Sequence, residues 1–150
     1  MLSTPGEAVT ALIYTYAERI DAGDFAGIGE LFEHATLTFE GFGDAVSGQE
    51  DVTALYERTT RRYEDGTPRT KHVMTNVIVE VADDALSARS RSYFTVLQAV
   101  PGALALQPVI AGRYRHGFSC VDDQWRVDSM HIMIDLMGDL GHHMLFDLPS

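Results

Sequence analysis

One cysteine in 150 residues leaves Cys120 without an internal disulfide partner, which suits a reducing compartment; a cytoplasmic location and simple burial of the thiol are expected. Basic residues are equally scarce: 11 Lys and Arg stand against 22 Asp and Glu, a formal charge of -11. Binding to a phosphate backbone needs a basic footprint, so nucleic acid is a poor partner candidate, and anionic membrane surfaces are equally poor ones. No apolar run is long enough to span a bilayer. The start, Met1 to Glu7, has no basic segment leading into an apolar one, so no signal peptide is expected.

Several chemical signatures are missing too. There is no phosphate-cradling glycine loop, no dinucleotide fingerprint and no nucleophile elbow, and no organic cofactor is expected. His131, Asp135, Asp139, His142 and His143 crowd the C-terminal end, but their spacing fits no closed zinc pattern. They read as terminal surface residues, with no metal. Repeats, low-complexity tracts and linkers are also lacking.

What is present suits one domain over residues 1–150, with 45% hydrophobic and 22% charged residues. Thr4, Pro5 and Glu7 form the start of a helix running to Ala22, with Gly23 as its stop. Val9, Leu12, Ile13, Tyr16, Ala17 and Ile20 make its core-facing stripe. A second short helix runs from Asp24 to Phe32, a strand from Ala35 to Glu40, and a third helix from a Ser47 cap to about Tyr63. Its inward face is Val52, Leu55, Tyr56, Thr59 and Tyr63.

From Thr70 the period changes to two. Long strands are predicted at 70–82, 86–100, 107–120 and 124–134, with reversals at Asp83-Asp84, Pro101-Gly102 and Asp122-Asp123. Helices first and a strand meander later predict an α+β fold, the helices covering one face of a curved antiparallel sheet. The tail, about 135–150, keeps Met137, Leu140, Met144, Leu145 and Phe146, and is expected to dock on the domain or on a neighbouring subunit.

Asp21 stands out. It lies in the last turn of the first helix, beside the apolar stripe, where a carboxylate opposes the helix dipole by roughly 0.3 to 1 kcal/mol. His72, opening the strand Thr70-Lys71-His72-Val73-Met74-Thr75-Asn76, is the candidate partner. A neutral histidine held by a carboxylate is a general base: the acid fixes the tautomer and stabilises the imidazolium. The plainer alternative is a solvated helix-end acid and a partly exposed strand histidine.

Ile20-Asp21-Ala22-Gly23-Asp24 before Leu31-Phe32, then Ser47-Gly48-Gln49-Glu50, His72-Val73-Met74-Thr75-Asn76, Gly112-Arg113-Tyr114 and Asp122-Asp123-Gln124-Trp125 cover nearly the whole chain in order. In this pattern the sequence resembles SnoaL-like members of the nuclear-transport-factor-2-like superfamily. The resemblance implies a cone-shaped α+β barrel around an apolar pocket, and self-association as a homo-oligomer, dimer or trimer. In the dehydratase and dehydrochlorinase branch an acid ending the first helix pairs with a histidine opening a strand, and Asp21 and His72 match those positions.

The ligand implied is a small hydrophobic or ring-shaped molecule, cyclic or polyketide-like. Tyr16, Tyr56, Phe94 and Tyr114 are candidate walls, with Tyr63 beside them, although aromatics at helical spacing also serve as ordinary core. Alternation places Tyr114, His116 and Phe118 on one face, so His116 is a candidate contact for a substrate oxygen, or else a hydrogen-bonded core histidine. Arg89, Arg91, Arg113 and Arg115 read as a solvated outer stripe in preference to an anchor for an anionic substrate. Arg126, Asp128 and Met130 share a face by simple alternation, and Met130, where a pocket arginine is expected for lindane-like chemistry, speaks against chloride elimination.

The expected activity is a cofactor-independent lyase of dehydratase type, with double-bond isomerisation next. The alternative is a noncatalytic ligand-binding module or an accessory subunit resembling the β subunit of ring-hydroxylating dioxygenases.

Overall fold

The computed structural model describes residues 3–148. Helix α1 (Pro5–Asp21) begins with a complete capping box, Thr4 and Glu7 each accepting the other's backbone N–H. It ends at Gly23, whose φ of 72° is the left-handed conformation a helix stop needs. Asp24 caps α2 (Phe25–Leu31) through the Gly27 N–H. Val9, Ile13, Tyr16, Ala17 and Ile20 bury the predicted stripe of α1; each large apolar side chain contributes about 1.5–3 kcal/mol.

The strands are β1 (Thr36–Phe39), β2 (Val46–Ser47), β3 (Thr70–Val81), β4 (Ser87–Val100), β5 (Leu104–Val121) and β6 (Gln124–Met137), with α3 (Gln49–Thr59) between β2 and β3. They form one six-stranded sheet in the order β2-β1-β6-β5-β4-β3. The long strands run antiparallel, as expected, while the short β1 joins β6 in parallel, so the sheet is mixed. Helix α1 crosses the inner face against β3 and β6, with α2 and α3 packed beyond it.

Bulges curve the sheet. In β3 the register shifts between Thr75 and Ile78, where Asn76 takes a φ of 53°. Two further shifts fall in the β5–β6 pairing, and the one opposite Gly117 and Phe118 inserts Asp128. That extra residue reverses the alternation of β6: Arg126 and Asp128 stay outside, while Met130 is fully buried. The face shared by Arg126, Asp128 and Met130 in the sequence reading is therefore corrected. Asp122 and Asp123, both at positive φ, close the tight β5–β6 hairpin.

Several boundaries differ from expectation: β5 starts at Leu104 instead of 107, and β6 runs to Met137 instead of 134, into the expected tail. Ser47 pairs in β2 and bonds the Thr36 hydroxyl rather than capping α3, whose N-cap is Gly48. Helix α3 stops at Thr59, because Thr60 turns extended and bridges Met144 of the tail. Cys120 is half-buried. The arginine stripe is on the outer face, with Arg89 paired to Glu80 and Arg113 to Asp135. Among the described residues no helix is long and apolar enough to cross a membrane.

Candidate functional site

The end of α1 and the start of β3 meet, and Asp21 and His72 meet with them. The His72 Nδ1 lies 2.7 Å from Asp21 Oδ1. The His72 backbone N–H donates to Oδ2 at 2.8 Å and the Thr70 hydroxyl to Oδ1 at 2.9 Å. The side chains are 3% and 10% exposed for His72 and Asp21. Burial alone would push the Asp21 carboxyl up; the hydrogen bonds and charge of His72, with the Thr70 hydroxyl, outweigh it and hold the group below the usual carboxylate range. The awkward charge at the helix end is thus stabilised by three donors.

His72 forms part of the wall of a cavity of about 310 Å³, at the small end of the range for ligand pockets. Four expected aromatics line it: Tyr16, Tyr56, Phe94 and Tyr114. The Tyr16 and Tyr56 hydroxyls are 2.7 Å apart. Phe94 stacks on Tyr114 with centroids 4.2 Å apart. Gly112 makes this possible: a Cβ there would come within 2.9 Å of the Phe94 ring and 2.1 Å of the Met133 carbonyl. Burial raises the phenols of Tyr16, Tyr56 and Tyr114 well above their ordinary pKa, so all three stay protonated donors. Toward solvent the lining passes to Phe42 and Asp44 after β1, to Arg58 and Thr59 of α3, and to Met144, Phe146 and Leu148 of the tail.

Two expected contacts lie elsewhere. Tyr63 falls beyond the end of α3 and donates instead to the His142 carbonyl. His116 is buried, at 5% exposure, but it does not line the cavity. Alternation placed its side correctly and left its depth undefined: it sits two residues past Tyr114 along β5, between the Tyr114 edge and a stacked Phe118. Its Nδ1 has no partner within the described protein, and burial lowers its pKa to about 4.

The opposite correction applies to His143. Read in the sequence as a surface histidine, it is 3% exposed and lines the cavity, its ring 6.2 Å from that of His72. Nothing periodic marks this segment; the one available signal was the density of apolar residues around it. The other members of the C-terminal cluster disperse: His131 contacts the Thr38 hydroxyl and Asp135 pairs with Arg113. Among the described residues no group of three or more His, Cys, Asp or Glu side chains gathers as a metal site.

A family model described as a SnoaL-like domain matches residues 4–131. No curated protein matches the chain. Among solved structures, ActVI-ORFA of Streptomyces coelicolor is 19% identical, covers 85% of this chain and 95% of its own, and superposes with a TM-score of 0.68. A provisional scytalone dehydratase of Novosphingobium aromaticivorans is 17% identical over 88% of this chain and 85% of its own, with a TM-score of 0.68. A provisional dehydratase of the nuclear-transport-factor-2-like family from Streptomyces avermitilis is 19% identical over 88% and 97%, with a TM-score of 0.67. At such identities these likenesses show the fold alone.

Proposed function

Since the chain belongs to the SnoaL-like family, whose fold does not by itself dictate a reaction, we propose from its site that it is a cofactor-independent lyase, removing water from a small neutral ring compound that carries a hydroxyl β to a carbonyl. The observation that carries this reading is the buried Asp21–His72 pair at 2.7 Å on the wall of an aromatic cavity. The two dehydratase-named neighbours support the choice of reaction at the level of the fold.

An ionised Asp21 only accepts, so the His72 proton resides on Nδ1 and Nε2 keeps its lone pair. His72 then takes the proton from the carbon α to the carbonyl. The carbon–oxygen bond at the β carbon breaks, and the departing hydroxyl takes a proton back from the imidazolium and leaves as water. One double bond forms and His72 returns to its neutral state. The Tyr16–Tyr56 pair and Tyr114 supply phenolic O–H groups for the carbonyl oxygen, on which negative charge develops. Without a leaving hydroxyl, the same proton abstraction and return would shift a double bond.

A direct test uses 3-hydroxy-1-tetralone, whose loss of water gives a conjugated enone that tautomerises spontaneously to 1-naphthol, with a strong change in ultraviolet absorbance. The protein should accelerate this reaction, and His72→Asn should remove about 10² to 10⁴ of the acceleration with its circular dichroism unchanged. Wild-type protein that binds 1-naphthol but leaves the tetralone untouched would overturn the lyase reading and favour a ligand-holding module.

A further inference from the structure

His143 is held by its main chain and left unpaired at its ring. The Arg61 N–H donates to its carbonyl at 2.8 Å, and the Leu145 N–H donates to the Thr59 carbonyl at 2.9 Å. Next to it, the His142 carbonyl accepts from Gln98 Nε2 at 2.8 Å and from the Tyr63 hydroxyl. The His143 Nδ1 is enclosed with no partner within the described protein, although an unmade buried hydrogen bond costs about 1–3 kcal/mol. Four anchors thus fix an imidazole on the cavity wall, edge-on to His72 at 6.2 Å, without satisfying it.

We propose that His143 is a second ligand-binding residue of this cavity, donating a ring N–H to an oxygen of a neutral, hydroxyl- or carbonyl-bearing ring compound held in the cavity beside both it and His72. The tail is thereby part of the site rather than a cover over it. Burial first, then the neighbouring charge of His72, lowers the His143 pKa to about 4, against a weaker opposing effect of Asp21. At neutral pH the ring is uncharged, with one donor and one acceptor, and it adds no repulsion when His72 takes up a proton. The class of ligand follows from the rest of the wall. Its enclosed polar groups are phenols, imidazoles and the Thr60 hydroxyl, all uncharged donors or acceptors, and its charged members, Asp44 and Arg58, are at the exposed rim.

This inference rests on the cavity of the preceding reading but not on its reaction, since a ligand gripped by His143 need not be turned over. The intact wild-type chain, His143→Phe and His143→Gln are titrated calorimetrically with 1-naphthol and with 1-methylnaphthalene, which has the same rings and no hydroxyl. Wild type should favour 1-naphthol about tenfold, the worth of one net hydrogen bond. His143→Phe should lose that preference while binding 1-methylnaphthalene within about twofold of wild type, and His143→Gln should recover part of it. A preference that survives in His143→Phe overturns the proposal, as does a wild type that binds neither probe. Preference lost in His143→Phe, in a protein that leaves the tetralone untouched, supports the proposal and counts against the lyase reading. Tetralone turnover that depends on His72, with the preference intact in His143→Phe, does the reverse.

Discussion

His72 and His116 are both enclosed by the same curved sheet, yet they are opposite solutions to burying an imidazole. His72, at the cavity, has a carboxylate on its ring and its own backbone N–H on that same carboxylate. His116, beyond Tyr114, has stacked aromatic neighbours and an Nδ1 without a partner within the described protein. Around it the polar groups are similarly unpaired: the hydroxyls of Ser90, its register partner, and of Ser92, opposite Tyr114, are buried without partners. A buried polar group can be fixed by an ionised neighbour or kept neutral by its surroundings. The first arrangement suits the directed base proposed for His72, and the second makes a residue whose cost is felt only when it must take a proton.

The largest effect expected from this contrast is on turnover. Asp21→Asn keeps the shape of the pair but offers His72 an amide in place of a carboxylate, which no longer stabilises the imidazolium and admits the other tautomer. Dehydration of 3-hydroxy-1-tetralone should fall about 10² to 10⁴-fold, as when the acid of a catalytic triad is so replaced. His116→Leu should change it less than about threefold at pH 7, because that ring does not reach the cavity. Equal losses in the two variants, measured as initial rates of 1-naphthol formation, would erase the distinction between the two histidines.

Next comes acid stability. His116 titrates near 6.5 when unfolded and at about 4 when folded, so the unfolded chain binds the additional proton between those values. Stability is therefore intact above the unfolded pKa and declines as pH falls through that window, by roughly 2–3 kcal/mol at pH 4.5 from this residue. His143 adds a loss of the same sign, whereas Asp21, lowered when folded, is stabilising above the ordinary carboxylate range and loses that contribution at still lower pH. Urea unfolding of wild type and His116→Leu at pH 7 and pH 4.5 isolates the first term. The variant should retain roughly 2–3 kcal/mol more of its neutral-pH stability, and parallel declines would show that His116 is free to charge in the folded state.

The contrast between the two histidines was half legible in the sequence. Capping signals and the 3.6 period located α1 and hence Asp21, and the change to period two located β3 and hence His72. Their pairing came from the charge left beside an apolar stripe and from the family resemblance. Alternation assigned Tyr114, His116 and Phe118 to one face, but a period of two carries no information about depth, so it could not separate a cavity wall from the core behind it. The bulge at Asp128 and the parallel pairing of four-residue β1 leave equally little trace, being set by partners distant in sequence. His143 escaped for the same reason. Its segment is held by backbone bonds to residues 59 and 61 and by the side chains of Tyr63 and Gln98, none of which creates a local pattern.

The smallest predicted effect concerns that tail, which brings a third histidine into the comparison, buried like His116 and facing the cavity like His72. Tyr63→Phe removes one of two donors to the His142 carbonyl and leaves Gln98 Nε2 in place. One hydrogen bond to a backbone carbonyl is worth about 0.5–1.5 kcal/mol net, so global unfolding should shift little. Local opening of the tail should become severalfold more frequent, and amide exchange at Arg61 and Leu145, whose N–H groups pair across this junction, should accelerate accordingly. The amides of His72 and of the adjoining β3 residues should keep their wild-type rates. Acceleration of both sets together would mean that the tail and the Asp21–His72 wall open as one unit. Exchange unchanged at Arg61 and Leu145 would mean that Gln98 and the backbone pairing hold His143 without help from Tyr63.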